Sequence, residues 1–341
     1  MKPKRVVVII GGGFAGSITA KKLEKDFRVI LIDKKDFFEF TPGVLRAIVE
    51  PHHLQKLHVY HKDYLKRAEV IKSEVTQLHK DYVALKNEKK VYFDYLVLAS
   101  GSSYHPPIKA HNLVSASNTS LINEDHKKLK EAKNVLVVGG GIVGVELAAE
   151  IAEKFCNDMS SGKKKITLGH SQKRLMPRES EKAINYAEKF LEQCGVNIIF
   201  EKRFSEKDVD SYDMVFLATG IKPNTKYLPK KYLDEKGFIK VKKTFHVEVT
   251  KNIFAAGDAA NIVEEKLAQA AEAHAHTVAH NILAQEQKAQ LTDYNSTQKL
   301  KIISLGKYKG IITYKGYTFT GYLPGVLKNI LEWYYMKTLK L

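Results

Sequence analysis

Cysteine is nearly absent from this chain: Cys156 and Cys194 are the only two in 341 residues. A disulfide framework is thereby excluded as the main source of stability, and a reducing compartment is the easier home. Both cysteines read as packing residues. No run of about 18 or more apolar residues occurs, so no helix is expected to cross a bilayer. Arginine-rich tracts and zinc-finger spacings are missing as well, so nucleic acid is not expected as a partner. Met1 is followed by Lys2 rather than glycine, which removes the myristoylation signal. The opening MKPKR and the apolar run after it imitate a secretory leader, but Gly11, Gly12, Gly13 and Gly16 would interrupt its helix.

Hydrophobic residues make up 44% and aromatics 10%, enough to bury real cores, and the length suits two domains or a little more. The net charge is +17 and the pI about 9.5. Lysines spread along the whole chain carry most of it. Such a surface attracts anionic lipid or phosphorylated small molecules, or is simply well solvated.

One glycine-rich phrase occurs twice. In the first copy, Arg5 to Ile10 is a continuous β-branched run, as in a strand buried on both faces. Gly11, Gly13 and Gly16 follow as G-x-G-x-x-G, and Ser17 to Glu24 reads as a helix. The first glycine permits a tight turn, the second lets a pyrophosphate approach the backbone, and the third lets helix pack on strand. The helix N-terminus then faces the phosphates. "FRVILID" is the next buried strand, and Asp33 at its end stands where a carboxylate meets a ribose hydroxyl.

In the second copy Val135 to Val138 is the strand, Gly139, Gly141 and Gly144 form the turn, and Val145 to Ile151 begins the helix. The following strand, "KKITLGH", lacks the acid and runs into His170, Ser171, Gln172, Lys173 and Arg174. A carboxylate would repel a ribose 2′-phosphate, whereas Ser171, Lys173 and Arg174 could bind one. This crevice is therefore expected to take NADPH, with NADH as the alternative. Two fingerprints mean two dinucleotides, most economically a flavin and a nicotinamide held face to face.

Three further stretches fit: "FDYLVLASGS" (93–102), "YDMVFLATGIKPNT" (212–225) and "KNIFAAGDAAN" (251–261) are strands that end in small-residue turns. Asp258 in the last can accept a hydrogen bond from a ribityl hydroxyl. With these motifs in order, the chain resembles the two-dinucleotide-binding-domain flavoproteins, or pyridine-nucleotide disulfide oxidoreductase superfamily, from about Lys4 to Ile282. Within it, "LIDKKDFFEFTPGVLRAIVEP" (31–51) and "ITLGHSQ" (166–172) look most like the apoptosis-inducing-factor-like class 2, or ferroptosis-suppressor, proteins. Type II NADH dehydrogenases come next.

The resemblance implies an α/β fold of two Rossmann-like domains, the FAD domain being interrupted by the NAD(P) domain. It implies FAD together with NADPH or NADH, and an enzyme that passes a hydride through flavin to a membrane quinone. Its FAD contacts would include Phe14, Ala15, Lys34, Val75, Ala99, Ser100, Gly101 and Asp258. Its nicotinamide-nucleotide contacts would include Ile142, Val143, Thr219 and Gly220. Glu146, the glutamate of "GVE", would orient the nicotinamide and is the one catalytic candidate. Gln269 would mark the helix that meets the flavin's pyrimidine end, or is a surface amide. Arg46 would reach the FAD pyrophosphate, or pack elsewhere. No cysteine lies between Ser17 and His61, so the disulfide-reductase chemistry of the superfamily is out. The absent acid after the second nucleotide strand sets the chain apart from most type II dehydrogenases. His274, His276 and His280 lack the other parts of a metal site, and no metal is expected.

The expected domains are 1–107 with 236–290 for FAD and 108–235 for NAD(P), with the exit at His105 to Lys109. Residues 291–341 read as a small glycine-turned sheet and then an amphipathic helix. On that helix Leu327, Ile330, Leu331, Tyr334 and Tyr335 share one face. Lys328, Asn329, Glu332, Lys337 and Lys340 take the other, as in a helix lying at a membrane surface. A dimer contact or internal packing fits the same pattern. The resulting expectation is a cytoplasmic, peripherally membrane-associated quinone reductase. The alternatives are a soluble reductase of a ferredoxin or other small redox partner, and a redox-sensing, nucleic-acid-binding interaction protein.

Overall fold

The computed structural model describes residues 3–103, 113–115, 121–297 and 299–340. The expected domain exit at 105–109 lies outside these residues.

Two five-stranded parallel sheets share one plan. In the first the strand order is Ile253–Ala255, Tyr95–Leu98, Val6–Ile10, Arg28–Asp33 and Glu69–Lys72. In the second it is Leu113–Ser115, Met214–Leu217, Asn134–Val138, Lys165–Gly169 and Asn197–Ile199. Each glycine-preceding strand is central, and the strand meant to carry the ribose-reading residue lies beside it. Val8 pairs with Ile30 in the first sheet, and Leu136 with Thr167 in the second. The central strands are apolar without alternation because both of their faces are buried. Val7, Val8, Ile9, Val135, Leu136 and Val137 have no exposed surface at all.

The outermost strand of the first sheet, Ile253–Ala255, comes from beyond the whole second sheet, and two chain crossings connect the lobes. At that hinge Ser102–Ser103 pairs antiparallel with Lys222–Pro223.

The C-terminal region is a three-stranded antiparallel meander, Lys301–Leu305, Lys309–Tyr314 and Tyr317–Gly321, followed by a helix over Tyr322–Lys340. The structure leaves most of the apolar face of this helix exposed rather than packed inside the chain. Three of its polar residues are held by the lobes: Lys328 reaches Glu146 (2.9 Å), Asn329 receives a hydrogen bond from Arg46 (3.3 Å), and Glu332 pairs with His53 (3.0 Å), while Lys337 and Lys340 are exposed. Much of its apolar surface is turned out: Leu323, Val326, Ile330, Leu331, Trp333 and Tyr334 are exposed, Trp333 at 61%, whereas Met336 and Leu339 are buried. Tyr335 departs from that apolar set and packs inward on Phe14, Phe38 and Phe40, with ring centroids 5.1–5.9 Å apart. The reason is that the lobes present buried carboxylates and an arginine to the helix, and an unpaired buried charge costs far more than exposed apolar surface.

Of the two cysteines, Cys194 packs against the core as expected and Cys156 does not. Cys156 is exposed, so it does not pack in the core. Cys194 is half-buried, and burial pushes its thiol pKa up.

Candidate functional site: two glycine crevices

The glycines earn their places by close approach. Gly11 has φ +100°, and a Cβ there would lie 2.2 Å from the Ala99 carbonyl oxygen. A Cβ on Gly16 would lie 1.8 Å from the Gly11 carbonyl oxygen. In the second crevice Gly139 (φ +116°) is set against the Ala218 carbonyl at 2.5 Å, and Gly144 against the Gly139 carbonyl at 1.7 Å. Gly13 and Gly141 differ from these: no atom lies within 4 Å of a Cβ built on either. Both begin a helix, Phe14–Leu23 and Ile142–Lys154, and neither helix start has a side-chain cap. Each crevice thus offers open space beside uncapped backbone N–H groups, the arrangement a pyrophosphate requires. Gly101 and Gly220, which end the next strands at φ +65° and +58°, are equally open.

In the first crevice Asp33 accepts hydrogen bonds from the Gly12 and Lys35 amides, the latter at 2.7 Å. Beside it stands a group that sequence reasoning missed. His61 lies against Gly12 and passes a hydrogen bond from Nδ1 to the Tyr64 hydroxyl (2.6 Å). Tyr64 donates to Ser17 Oγ, and Ser17 to the Gly12 carbonyl, each at 2.7 Å. Burial holds the His61 pKa below, and the Tyr64 pKa above, their usual values, so both are neutral near pH 7. His61 Nε2 is buried with no partner. Only its position against Gly12 in the fold betrays it.

Asp258 is drawn to the same crevice. A Cβ built on Gly257 would lie 3.2 Å from the Ala15 Cβ, and Ser102 Oγ donates to the Asp258 carboxylate at 2.7 Å. The Gly257 amide is held by His274 Nδ1 (3.1 Å), whose other nitrogen bonds to Glu264. Ala99, Ser100 and Gly101 lie on the hinge, where Ser100 Oγ donates to the Asn224 carbonyl (2.7 Å). Phe14, Ala15 and Val75 are buried.

In the second crevice Thr219 has a buried, unpartnered hydroxyl, and its methyl would lie 3.3 Å from a Cβ on Gly139. Ile142 and Val143 form the first helical turn beside it. Ser171 and Lys173 are exposed on the loop past the nucleotide strand.

Several expected ligands are engaged elsewhere. The Arg46 guanidinium is buried and donates to Glu150 (2.9 Å) and to the Gly306 carbonyl (3.0 Å). It locks the Val44–Val49 helix to the second crevice's helix rather than turning to a pyrophosphate. Arg174 is tied to Glu188 (2.9 Å), which makes it a brace for the Glu181–Gln193 helix rather than a free phosphate ligand. Lys34 pairs with Glu74 (2.7 Å), and the Gln269 amide donates to the Leu300 carbonyl (3.0 Å). Glu146 is buried in the first turns of the second helix. It accepts from the Ser304 amide and hydroxyl, both at 2.8 Å, and from Lys328. Among the described residues no cluster of three or more His, Cys, Asp or Glu could hold a metal.

Doubled sheets with open, uncapped glycine turns define a protein built to seat two dinucleotides. The chain belongs to the pyridine nucleotide-disulphide oxidoreductase family, whose sequence pattern matches residues 5–277. It is an FAD-dependent oxidoreductase that uses NAD(P)H. It is similar to apoptosis-inducing factor homolog B of Dictyostelium discoideum, 30% identical over 90% of this chain and 89% of that one. It is also similar to ferroptosis suppressor protein 1 of Xenopus tropicalis, at 30% over 91% and 88%. Its fold is shared with the sulfide:quinone oxidoreductase of Aquifex aeolicus (TM-score 0.89, 19% identity, 98% of this chain and 91% of that one). The NADH-bound NDH2 of Plasmodium falciparum shares it too (TM-score 0.81, 14% identity, 99% and 97%).

Proposed function

We propose that this enzyme reduces a quinone at a membrane surface with electrons from NAD(P)H, FAD occupying the first crevice and the nicotinamide nucleotide the second. The flavin supplies the redox chemistry by accepting hydride and passing electrons on. The protein's share is alignment. The uncapped helix starts at Gly13 and Gly141 hold the two pyrophosphates, Asp33 takes a ribose, and Asp258 takes the ribityl chain. Glu146 sits in the second helix and fixes Lys328 and Ser304 of the C-terminal region, so the C-terminal helix is positioned directly on the crevice that holds the hydride donor. Tyr335 and Phe14 carry the same helix onto the first crevice. Cys156 lies in the short Cys156–Ser160 helix and Cys194 caps the Glu181–Gln193 helix, so neither belongs to the glycine turns.

The observation that carries the reading is the outward apolar face of that helix. Tyr322, Leu323, Val326, Ile330, Leu331, Trp333 and Tyr334 are exposed together, and Lys337 stacks over the Trp333 ring at 4.9 Å. Aromatics flanked by lysines on an exposed helix suit the interface of an anionic bilayer, the phase in which a long-tailed quinone dissolves. The sulfide:quinone oxidoreductase that shares this fold uses an acceptor of the same class. Among the described residues no helix is long and apolar enough to cross a membrane, so attachment would be peripheral.

The test uses flotation with anionic and neutral liposomes together with NADPH-driven reduction of a ubiquinone analogue in those liposomes. Wild type should float with anionic vesicles and reduce the embedded quinone. The double variant Ile330→Glu, Trp333→Glu should stay in the soluble fraction and keep activity only toward a water-soluble quinone. Equal flotation of the two proteins would remove the membrane from the proposal. Turnover with a ferredoxin but not with any quinone would remove the acceptor.

A further inference from the structure

The second crevice contains a buried donor that no other described residue uses. His170 follows directly on the strand Lys165–Gly169, the position Asp33 holds in the first crevice. Its ring lies flat against the middle glycine: a Cβ on Gly140 would come within 2.7 Å of His170 Cγ. Its Nδ1 accepts the Gly140 amide hydrogen at 3.1 Å. That bond assigns the tautomer, because a nitrogen that accepts an N–H carries a lone pair, so the ring proton of the neutral imidazole sits on Nε2. Nε2–H is buried and has no partner. Native proteins rarely leave such a donor unpaired unless a ligand completes it.

The first crevice has the opposite polarity. His61 spends its Nδ1–H on Tyr64, because the Tyr64 hydroxyl is itself committed to donating to Ser17. The lone pair is therefore on His61 Nε2. Beside it the Asp33 carboxylate is also acceptor-only. That crevice offers acceptors and suits a ribose whose hydroxyls donate. The second offers a donor and suits a substituent that only accepts. Of the other two basic candidates, Arg174 is braced on Glu188 and Lys173 lies exposed on the loop.

We infer that His170 is the residue that reads the 2′ position of the nicotinamide nucleotide's adenosine ribose, donating Nε2–H to a 2′-phosphate oxygen, and that it thereby favours NADP(H). This rests on the second crevice being the nicotinamide site. His170 acts here as a specificity residue and takes no part in hydride transfer.

The experiment is calorimetric titration of the FAD-loaded protein with NADP+, NAD+ and adenosine 2′,5′-bisphosphate. Wild type should bind NADP+ at least as tightly as NAD+ and should bind the bisphosphate. His170→Asp preserves an acceptor for the Gly140 amide but faces a 2′-phosphate with like charge. It should weaken NADP+ and the bisphosphate by about tenfold or more and leave NAD+ within about threefold. His170→Asn, whose carbonyl accepts and whose amide donates, should keep the wild-type ratio. His170→Leu serves if the aspartate variant fails to fold, and it should lose most of the bisphosphate affinity. A His170→Asp or His170→Leu protein that keeps its flavin absorbance and an unchanged NADP+/NAD+ ratio overturns the inference. A wild type that binds neither nucleotide overturns the nicotinamide reading of the crevice and this inference with it.

Discussion

In the first crevice Gly12 gives its amide hydrogen to the Asp33 carboxylate; in the second Gly140 gives its own to His170 Nδ1. The surrounding backbones are near copies. The Gly11 amide bonds to the Ile32 carbonyl and the Gly139 amide to the Gly169 carbonyl, each at 2.8 Å. What differs is one side chain at the end of one strand, and the helix that follows the glycines. The first helix carries Phe14, Ser17 and Thr19 into its lobe. The second buries Glu146, which holds Ser304 and Lys328 of the C-terminal region, and Glu150, which holds Arg46 of the Val44–Val49 helix. The contrast teaches that the phosphate cradle is a backbone property, repeated wherever the glycines recur. Nucleotide choice and domain docking are side-chain properties, free to diverge.

The largest effects should come from closing either cradle. Gly16→Val and Gly144→Val each drive a side chain into a carbonyl oxygen closer than 2 Å. No rotamer relieves a contact this close to backbone, so the loop must shift and the cradle closes to its cofactor. Gly16→Val should purify colourless. Gly144→Val should purify yellow but resist bleaching by NADPH in anaerobic buffer. The same spectrum from both variants would break the division of labour between the crevices.

Next in size is the difference between the two helices. Glu150 and Arg46 are both buried, and removing one partner strands the other charge. Glu150→Ala should therefore lower the unfolding free energy by about 3–5 kcal/mol. Lys22, which takes the matching place on the first helix, is exposed, and Lys22→Ala should stay within about 0.5 kcal/mol. Urea midpoints measure both. Similar losses would show that the ion pair is no special anchor.

Asp33→Asn is smaller again. It keeps an acceptor for Gly12 but gives up the charge-assisted bond to a ribose hydroxyl. FAD should dissociate about tenfold more readily, followed by flavin fluorescence on dilution. Unaltered retention would remove Asp33 from the ribose.

The smallest effect is a pH dependence that the crevices share. Burial lowers the pKa of His61 and His170, and likewise of His246 and His274. Each therefore binds fewer protons folded than unfolded, and stability rises with pH through this range. The stabilisation is complete above about pH 6.5, the unfolded value, and is lost progressively as pH falls from there to the lowered folded values. The melting temperature should be lower at pH 5.5 than at pH 7.5, and His61→Asn and His170→Asn should each shrink the gap. A higher melting temperature at pH 5.5 would contradict the sign.

Much of this was legible in the residues. Strand, glycines, helix and strand appear in the chain as written because a buried parallel strand and a tight turn each need a particular residue type locally. Asp33, at the end of "RVILID", was legible for the same reason. Less legible were residues whose role depends on what they meet. Arg46, Arg174 and Lys34 are basic residues near the right motifs, and each found an internal carboxylate first. His61 and Tyr64 are remote in sequence from Gly12, so no spacing announces them. His170 stood in plain view at the Asp33 position, but the direction of its hydrogen bond depends on the Gly140 amide.

From its residues alone this chain is committed to two phosphate cradles, because close carbonyl contacts and open helix starts are set by glycine spacing over a few residues. The tertiary structure decided everything that needs a distant partner: which nitrogen of each histidine carries the proton, which cations are spent on ion pairs, and which way the last helix faces. The helix shows the reason. Its amphipathic pattern is the same whichever face is turned inward, and only Glu146, Arg46 and His53, held by two other parts of the fold, make the polar face the inner one.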